Sequence, residues 1–180
     1  MDLLRGTLIS ILCILFISSM AHGAEKITGA FGIQFGQNFM PRDAISTSQL
    51  LNDGTPFYEF RPQKPFDTFS KYYVMITPVT NKVYSIWGIG GVKNDSDCKN
   101  QRAVIIELIE NKYGKSERKS NLENFLDVKV VSQGERYVMV KCGSFRDDKI
   151  EARYYDKKLE ALAEKERIKT EAKKKNSSGL

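Results

Sequence analysis

The chain reads as an α+β protein, mainly an antiparallel sheet packed by one central helix at about residues 94–113, with a charged helix at the C-terminus. Three observations predict this. Lys71 to Thr77 and Lys82 to Ile89 are rich in Tyr, Val, Ile and Trp and flank Pro78-Val79-Thr80-Asn81, the composition of a hairpin. Ile105, Leu108, Ile109 and Tyr113 recur at helical spacing and stop at Gly114. Leu126 to Val131 and Arg136 to Cys142 alternate across Gln133-Gly134-Glu135, a second hairpin.

Taken in order, Met1 to Gly23 has the grammar of an export leader: Arg5 near the start, an apolar run from Leu8 to Met20, then Ala21 and Gly23 at the positions a signal peptidase reads before Ala24. That run falls short of the roughly 20 residues needed to cross a bilayer. Cleavage near Gly23/Ala24 is expected, with a periplasmic or secreted destination and no transmembrane anchor. Cys13 follows Leu12, which does not suit lipid attachment.

Residues 24–156 form the expected single domain. Ala30 to Phe35 reads as a first strand among glycines, and Ile45 to Leu51 as a short helix or turn ended by Asn52-Asp53-Gly54. Phe57 to Arg61 is a strand running into a proline-bearing loop, Pro62 to Ser70. In the hairpin that follows, alternation places Tyr73, Met75 and Thr77 on one face of the first strand, and Val83, Ser85, Trp87 and Ile89 on one face of the second. Asp95, Ser96 or Asp97 is expected to cap the central helix, with Cys98 in its first turn. Lys149 to Tyr155 offers the last strand.

Charge is unevenly placed. Residues 24–156 carry 19 Lys and Arg against 17 Asp and Glu, a net of +2, whereas residues 157–180 carry 8 against 4, a net of +4. No basic stripe with interleaved aromatics appears in the body, so nucleic acid is not an expected partner. The basic tail reads as a solvated helix capped by Asp156, with Leu159, Leu162 and Ile168 as a thin apolar stripe and a disordered end; weak contact with an anionic membrane surface is its functional alternative.

Leader removal also settles the available chemistry. The one histidine is His22, so the mature chain has no imidazole, which excludes Ser-His-Asp and Cys-His catalysis and histidine metal sites. Cys98 and Cys142 remain, an even pair in an oxidising compartment, and a structural disulfide is expected between them. No metal site or cofactor is expected; Asn94, Asp95 and Asp97 lack the spacing of a calcium loop and suit helix capping. Glu59 and Asp67 flank the aromatic loop and could act as an acid/base carboxylate pair in a hydrolase reading.

Nine of the 19 aromatic residues fall between Phe57 and Trp87. Alternation sends about half of them inward; the others are candidates to line a recognition groove stiffened by Pro62 and Pro65. The candidate ligand contacts are Tyr72 and Tyr84, placed by register opposite the Trp87 face, with Arg61 and Lys64 for an acidic or polar group.

Gly32-Ile33-Gln34-Phe35-Gly36, the Lys71 to Trp87 hairpin, and the Cys98 helix ending in Lys112-Tyr113-Gly114-Lys115 resemble a group of small, uncharacterised bacterial exported proteins. The resemblance implies a periplasmic or secreted location and carries over no activity and no catalytic residue. The expected function is non-enzymatic binding in the bacterial envelope, with an envelope protein or cell-wall component as partner. The alternatives are a carboxylate-dependent envelope hydrolase and a structural module without a ligand.

Overall fold

The computed structural model describes residues 24–46, 49–50, 55–115, 128–143 and 148–177. The predicted leader, the Asn52-Asp53-Gly54 turn and the start of the Leu126 strand lie outside the described residues. The fold class is as the sequence predicts. Nine strands are described: β1 (Gly29–Ala30), β2 (Ile33–Gln34), β3 (Gln49–Leu50), β4 (Pro56–Glu59), β5 (Lys71–Ile76), β6 (Val83–Gly91), β7 (Val128–Gln133), β8 (Arg136–Cys142) and β9 (Lys149–Asp156). The helices are α1 (Asp95–Tyr113) and α2 (Lys157–Ser177).

Strands β3 to β9 build one antiparallel sheet in the order β3-β4-β5-β6-β9-β8-β7. Two meanders, β4-β5-β6 and β7-β8-β9, meet where β6 pairs with β9 through Trp87 opposite Arg153 and Gly88 opposite Ala152. The chain crosses between the meanders by way of α1, which packs on β7, β8 and β9. Its buried stripe is Cys98, Arg102, Ile105, Ile109 and Tyr113, a spacing of three and four residues that keeps one face on the sheet. Leu108, expected in this stripe, is 49% exposed on its flank.

The helix begins with Asn94 as N-cap, one residue ahead of the expected candidates, its side chain accepting the Asp97 N–H at 2.9 Å. Asp97 in turn accepts the Lys93 N–H at 2.8 Å, a bond that, with one from Gln101, holds its carboxyl below the usual range. Asp95 pairs with Lys99 at 2.7 Å. All three polar residues are therefore explained by the helix start. The predicted bridge is present: Cys98 is bonded to Cys142, which ties the first turn of α1 to the last residue of β8.

Three expectations are corrected. The Ala30 to Phe35 strand is a tight hairpin, β1 and β2 paired as Gly29 with Gln34 and Ala30 with Ile33, turning at Phe31 (φ 55°) and Gly32 (φ 91°). Positive φ at both central residues is the turn that matches strand twist; Phe in the first position gives no sequence cue for it. Between residues 41 and 50 the described elements are a single 3-10 turn, Pro41–Asp43, and the edge strand β3. Third, β5 and β6 slip register between Met75 and Ile76, whose partners are Ser85 and Val83. Tyr84 is the extra residue of that bulge and turns toward Met75, Tyr73 and Trp87, while Val83 joins the opposite core. The predicted Tyr84 and Val83 faces are thus exchanged.

The sheet buries both faces. One face carries the larger core, including Tyr58, Tyr72, Val74, Ile86, Val138, Val140, Ile150 and Tyr154, under α1 and the N-terminal hairpin. The other carries Tyr73, Met75, Tyr84 and Trp87 beneath Leu159 and Ala163 of α2. The C-terminal helix is accordingly docked over its first half rather than standing free. Asp156 caps it as expected, accepting the Lys158 and Leu159 N–H groups at 3.1 and 3.2 Å. Further along, Glu166 is buried and receives the Val79 N–H (2.8 Å), the Thr80 N–H (3.2 Å) and the Thr80 hydroxyl (2.8 Å), fastening the helix to the β5-β6 turn. Beyond Glu166, Ile168 is 56% exposed and the helix carries Lys169, Lys173, Lys174 and Lys175.

Candidate functional site: an aromatic groove with a cationic rim

The site begins with the glycines of β6. Gly88 and Gly90 point their missing side chains toward the α1 face of the sheet. A Cβ on Gly88 would stand 2.5 Å from the Phe69 ring and 3.0 Å from the Phe31 ring; on Gly90 it would be driven into the carbonyl of Thr68. The bare backbone therefore admits the Pro62 to Ser70 loop directly onto the sheet. Ser70 N–H donates to Ile89 O at 2.9 Å, and Phe60 N–H to Tyr72 O at 3.0 Å, so both ends of the loop are held by main chain.

Tyr72 then stitches the loop from beneath. Its hydroxyl accepts the Phe66 N–H at 2.8 Å and lies 2.9 and 3.0 Å from the carbonyls of Phe66 and Phe69, which take its proton. Phe31, at the tip of the β1-β2 hairpin, inserts edge-on against Phe69, Tyr72 and Tyr154 with centroids 5.7, 4.9 and 5.6 Å apart. A positive φ on a bulky residue costs about 1–2 kcal/mol; three ring contacts, each worth about 0.5–1.5 kcal/mol, outweigh it.

Hairpin, loop and α1 do not close over this floor. They leave a groove of about 490 Å³ lined by Phe31, Phe66, Phe69, Ile105, Leu108 and Tyr154 among others, with Lys26, Lys64 and Lys112 around it. Its size falls in the range of sites for small organic ligands. Glu25 is the single carboxylate among the described residues lining it, and Lys112 lies 3.6 Å from it. Lys26 and Lys64 form no ion pair among the described residues. Gln133 ties the chain's N-terminal segment to the end of α1: its amide donates to Glu25 O and Tyr113 O at 2.8 and 2.7 Å and accepts the Ile27 N–H at 2.9 Å.

The residues expected to contact a ligand are distributed as follows. Lys64 lines this groove. Arg61 and Tyr72 border a shallower depression on the other side of the loop, sharing Pro65 and Phe69 with the groove, so the loop is a ridge between two hollows. Tyr72 is 4% exposed and spends its hydroxyl on the loop. Tyr84 is 4% exposed on the opposite face of the sheet, beside a small cavity with Pro78, Ala163 and Arg167. The structure therefore does not bring Tyr72 and Tyr84 together. Of the two carboxylates, Glu59 borders that second depression and lies near Tyr73, whose hydroxyl is raised first by burial and then by the Glu59 charge, while Asp67 is exposed in the loop. No group of three or more His, Cys, Asp or Glu side chains suited to a metal ion occurs among the described residues.

Sequence reasoning missed Phe31 and Leu108 as groove residues, and it missed a buried polar cluster on the α2 face. There Glu151, 1% exposed, receives Arg153 Nε at 2.7 Å and has Lys141 at 3.9 Å. Arg153 in turn stacks 3.8 Å over the Trp87 ring, whose Nε1 donates to Ser85 Oγ at 2.6 Å. Burial and the neighbouring Arg153 charge depress the Lys141 ammonium, with Glu151 pulling the other way. Every charge in this cluster has a partner, which is the pattern of a buried network satisfied within the sheet.

Comparison with models of protein families, with curated proteins and with solved structures finds no match, so a functional reading rests on the groove and on the chemistry of the chain.

Proposed function

We propose that the chain is an exported, non-enzymatic binding protein of the bacterial envelope, periplasmic or secreted, that recognises an envelope component in the groove between the β1-β2 hairpin, the Pro62 to Ser70 loop and α1. The observation that carries the reading is an aromatic floor left open under a rim of lysines, on a frame fixed by main-chain contacts and a disulfide. Export is supported by the leader-like N-terminus, by the Cys98–Cys142 bridge, which persists in oxidising compartments, and by the lack of any helix among the described residues long and apolar enough to span a membrane.

Two measurements test this reading. Intact-mass analysis of the exported protein is expected to find a chain starting at Ala24; a chain retaining His22 removes the compartment from the argument. Fractionated envelope extract applied to the immobilised protein is expected to leave a component bound by wild type and lost by Leu108→Glu, with no change on Glu59→Gln or Asp67→Asn. Turnover abolished by Glu59→Gln would favour the hydrolase. Silence of all three substitutions would favour a structural module.

A further inference from the structure

Resting on that reading of the groove, we infer that its ligand is an amphiphilic anion of small-molecule size: an apolar body seated on Phe31, Phe66 and Leu108, with a carboxylate, sulfonate or phosphate head among Lys26, Lys64 and Lys112. The charge balance of the lining argues for the anion. Three lysines stand against one carboxylate in the described lining, and Glu25 is already beside Lys112 at 3.6 Å, so neither Lys26 nor Lys64 has a carboxylate partner among the described residues. Leu108 argues for the apolar body. It is 49% exposed on a helix whose neighbouring turns bury Ile105 and Ile109, and its exposed side borders the groove instead of the core. Val104, one turn earlier and 56% exposed, extends the same flank.

An extended acidic peptide would need main-chain partners. Beside the groove, Phe31 O is taken by the Lys64 N–H at 3.4 Å, the Gln34 N–H by Gln37 Oε1 at 2.9 Å and Gln34 O by the Gln37 N–H at 3.4 Å. A compact molecule with one charged end needs none.

The experiment uses two fluorescent probes with the same anilinonaphthalene skeleton, 8-anilinonaphthalene-1-sulfonate and the uncharged N-phenyl-1-naphthylamine, titrated against the exported chain. The expected result is that Lys26→Glu with Lys64→Glu weakens the sulfonate probe by about tenfold or more and the neutral probe by less than about twofold, with added salt weakening only the sulfonate. Leu108→Ser is expected to weaken both. Lys64→Gln, a milder change at an exposed position, is expected to fall between wild type and the double variant for the sulfonate. Equal response of the two probes to charge reversal overturns the anion while leaving a binding groove. Indifference of both probes to Leu108→Ser and to charge reversal overturns the groove itself.

Discussion

Replacing Gly90 by alanine should dislodge the loop that forms one wall of the groove. A Cβ at this position would stand 3.0 Å from the carbonyl carbon of Thr68 and closer still to its oxygen, and both atoms are backbone, so no side-chain rotation relieves the clash. The loop must lift or the sheet must bend. Lifting it weakens the Ser70 N–H to Ile89 O bond, the three contacts of the Tyr72 hydroxyl, and the burial of Phe69, which is 6% exposed. Complete loss of Phe69 burial sets a ceiling of about 3–5 kcal/mol. Overpacking that is partly absorbed costs about 1–3 kcal/mol. A loss of about 2–3 kcal/mol is therefore expected, or roughly 4–12 °C in Tm for a domain of this size. The neighbouring Gly91 supplies the control, because a Cβ there meets only Lys149 Nζ at 4.0 Å. Gly91→Ala should remain within about 0.5 kcal/mol of wild type. Urea unfolding of the two variants side by side measures both, and a Gly90→Ala variant as stable as Gly91→Ala would refute the account of how the loop is seated.

Tyr72→Phe removes the partner of the Phe66 N–H and of the Phe66 and Phe69 carbonyls; a loss of about 1–3 kcal/mol is expected in urea unfolding, with faster hydrogen exchange at the Phe66 amide. An unchanged exchange rate there would show that the stitch is not needed. Reduction of Cys98–Cys142, or Ser at both positions, should lower stability by about 4 kcal/mol in the chain-entropy picture for a separation of 44 residues. A change under 1 kcal/mol would mean that the reduced, unfolded chain is already constrained. Glu166 gives the pH dependence. Burial raises its carboxyl, but the hydrogen bonds from Val79 and Thr80 together outweigh this and hold it below the ordinary glutamate value. A lowered folded-state value means that the stabilisation is fully present above the ordinary value of 4.5 and is lost as pH falls through the folded one. The Tm gap between wild type and Glu166→Gln should therefore be widest near neutrality and shrink below about pH 4.5; a gap constant across that range would contradict it.

The elements legible in the sequence are those whose pattern is carried by side-chain type. The β5-β6 and β7-β8 hairpins, α1 and its Gly114 stop all announce themselves by apolar spacing or turn composition, and the pairing of Cys98 with Cys142 follows from counting. What escaped is set by backbone geometry or by polar residues doing apolar work. The bulge at Tyr84 shifts one residue without any compositional mark. The docking stripe of α2 runs Leu159, Ala163 and Glu166, and the last is charged, so apolar spacing alone shows only the thinner row Leu159, Leu162 and Ile168. Of the groove, the wall made by Lys64, Pro65 and the aromatics Phe66 and Phe69 was legible, and the bank that carries Phe31 and Leu108 was not. The Gly88-Ile89-Gly90-Gly91 tract was its best available signal: glycine at alternate positions in an otherwise strong strand marks a place where another backbone comes close.

Both ends of α1 are anchored to the same β7-β8 hairpin, the start through Cys142 at the close of β8 and the end through Gln133 at the close of β7. Helix and hairpin must then travel as one rigid wall, and a guest entering the groove cannot widen it from that side. Any accommodation falls to the opposite bank, where β1 and β2 are two residues each and stand outside the main sheet. On the proposed reading of the groove, selectivity for the length and bulk of a guest would be set by this short turn, with the helix as the fixed jaw against which it is gauged.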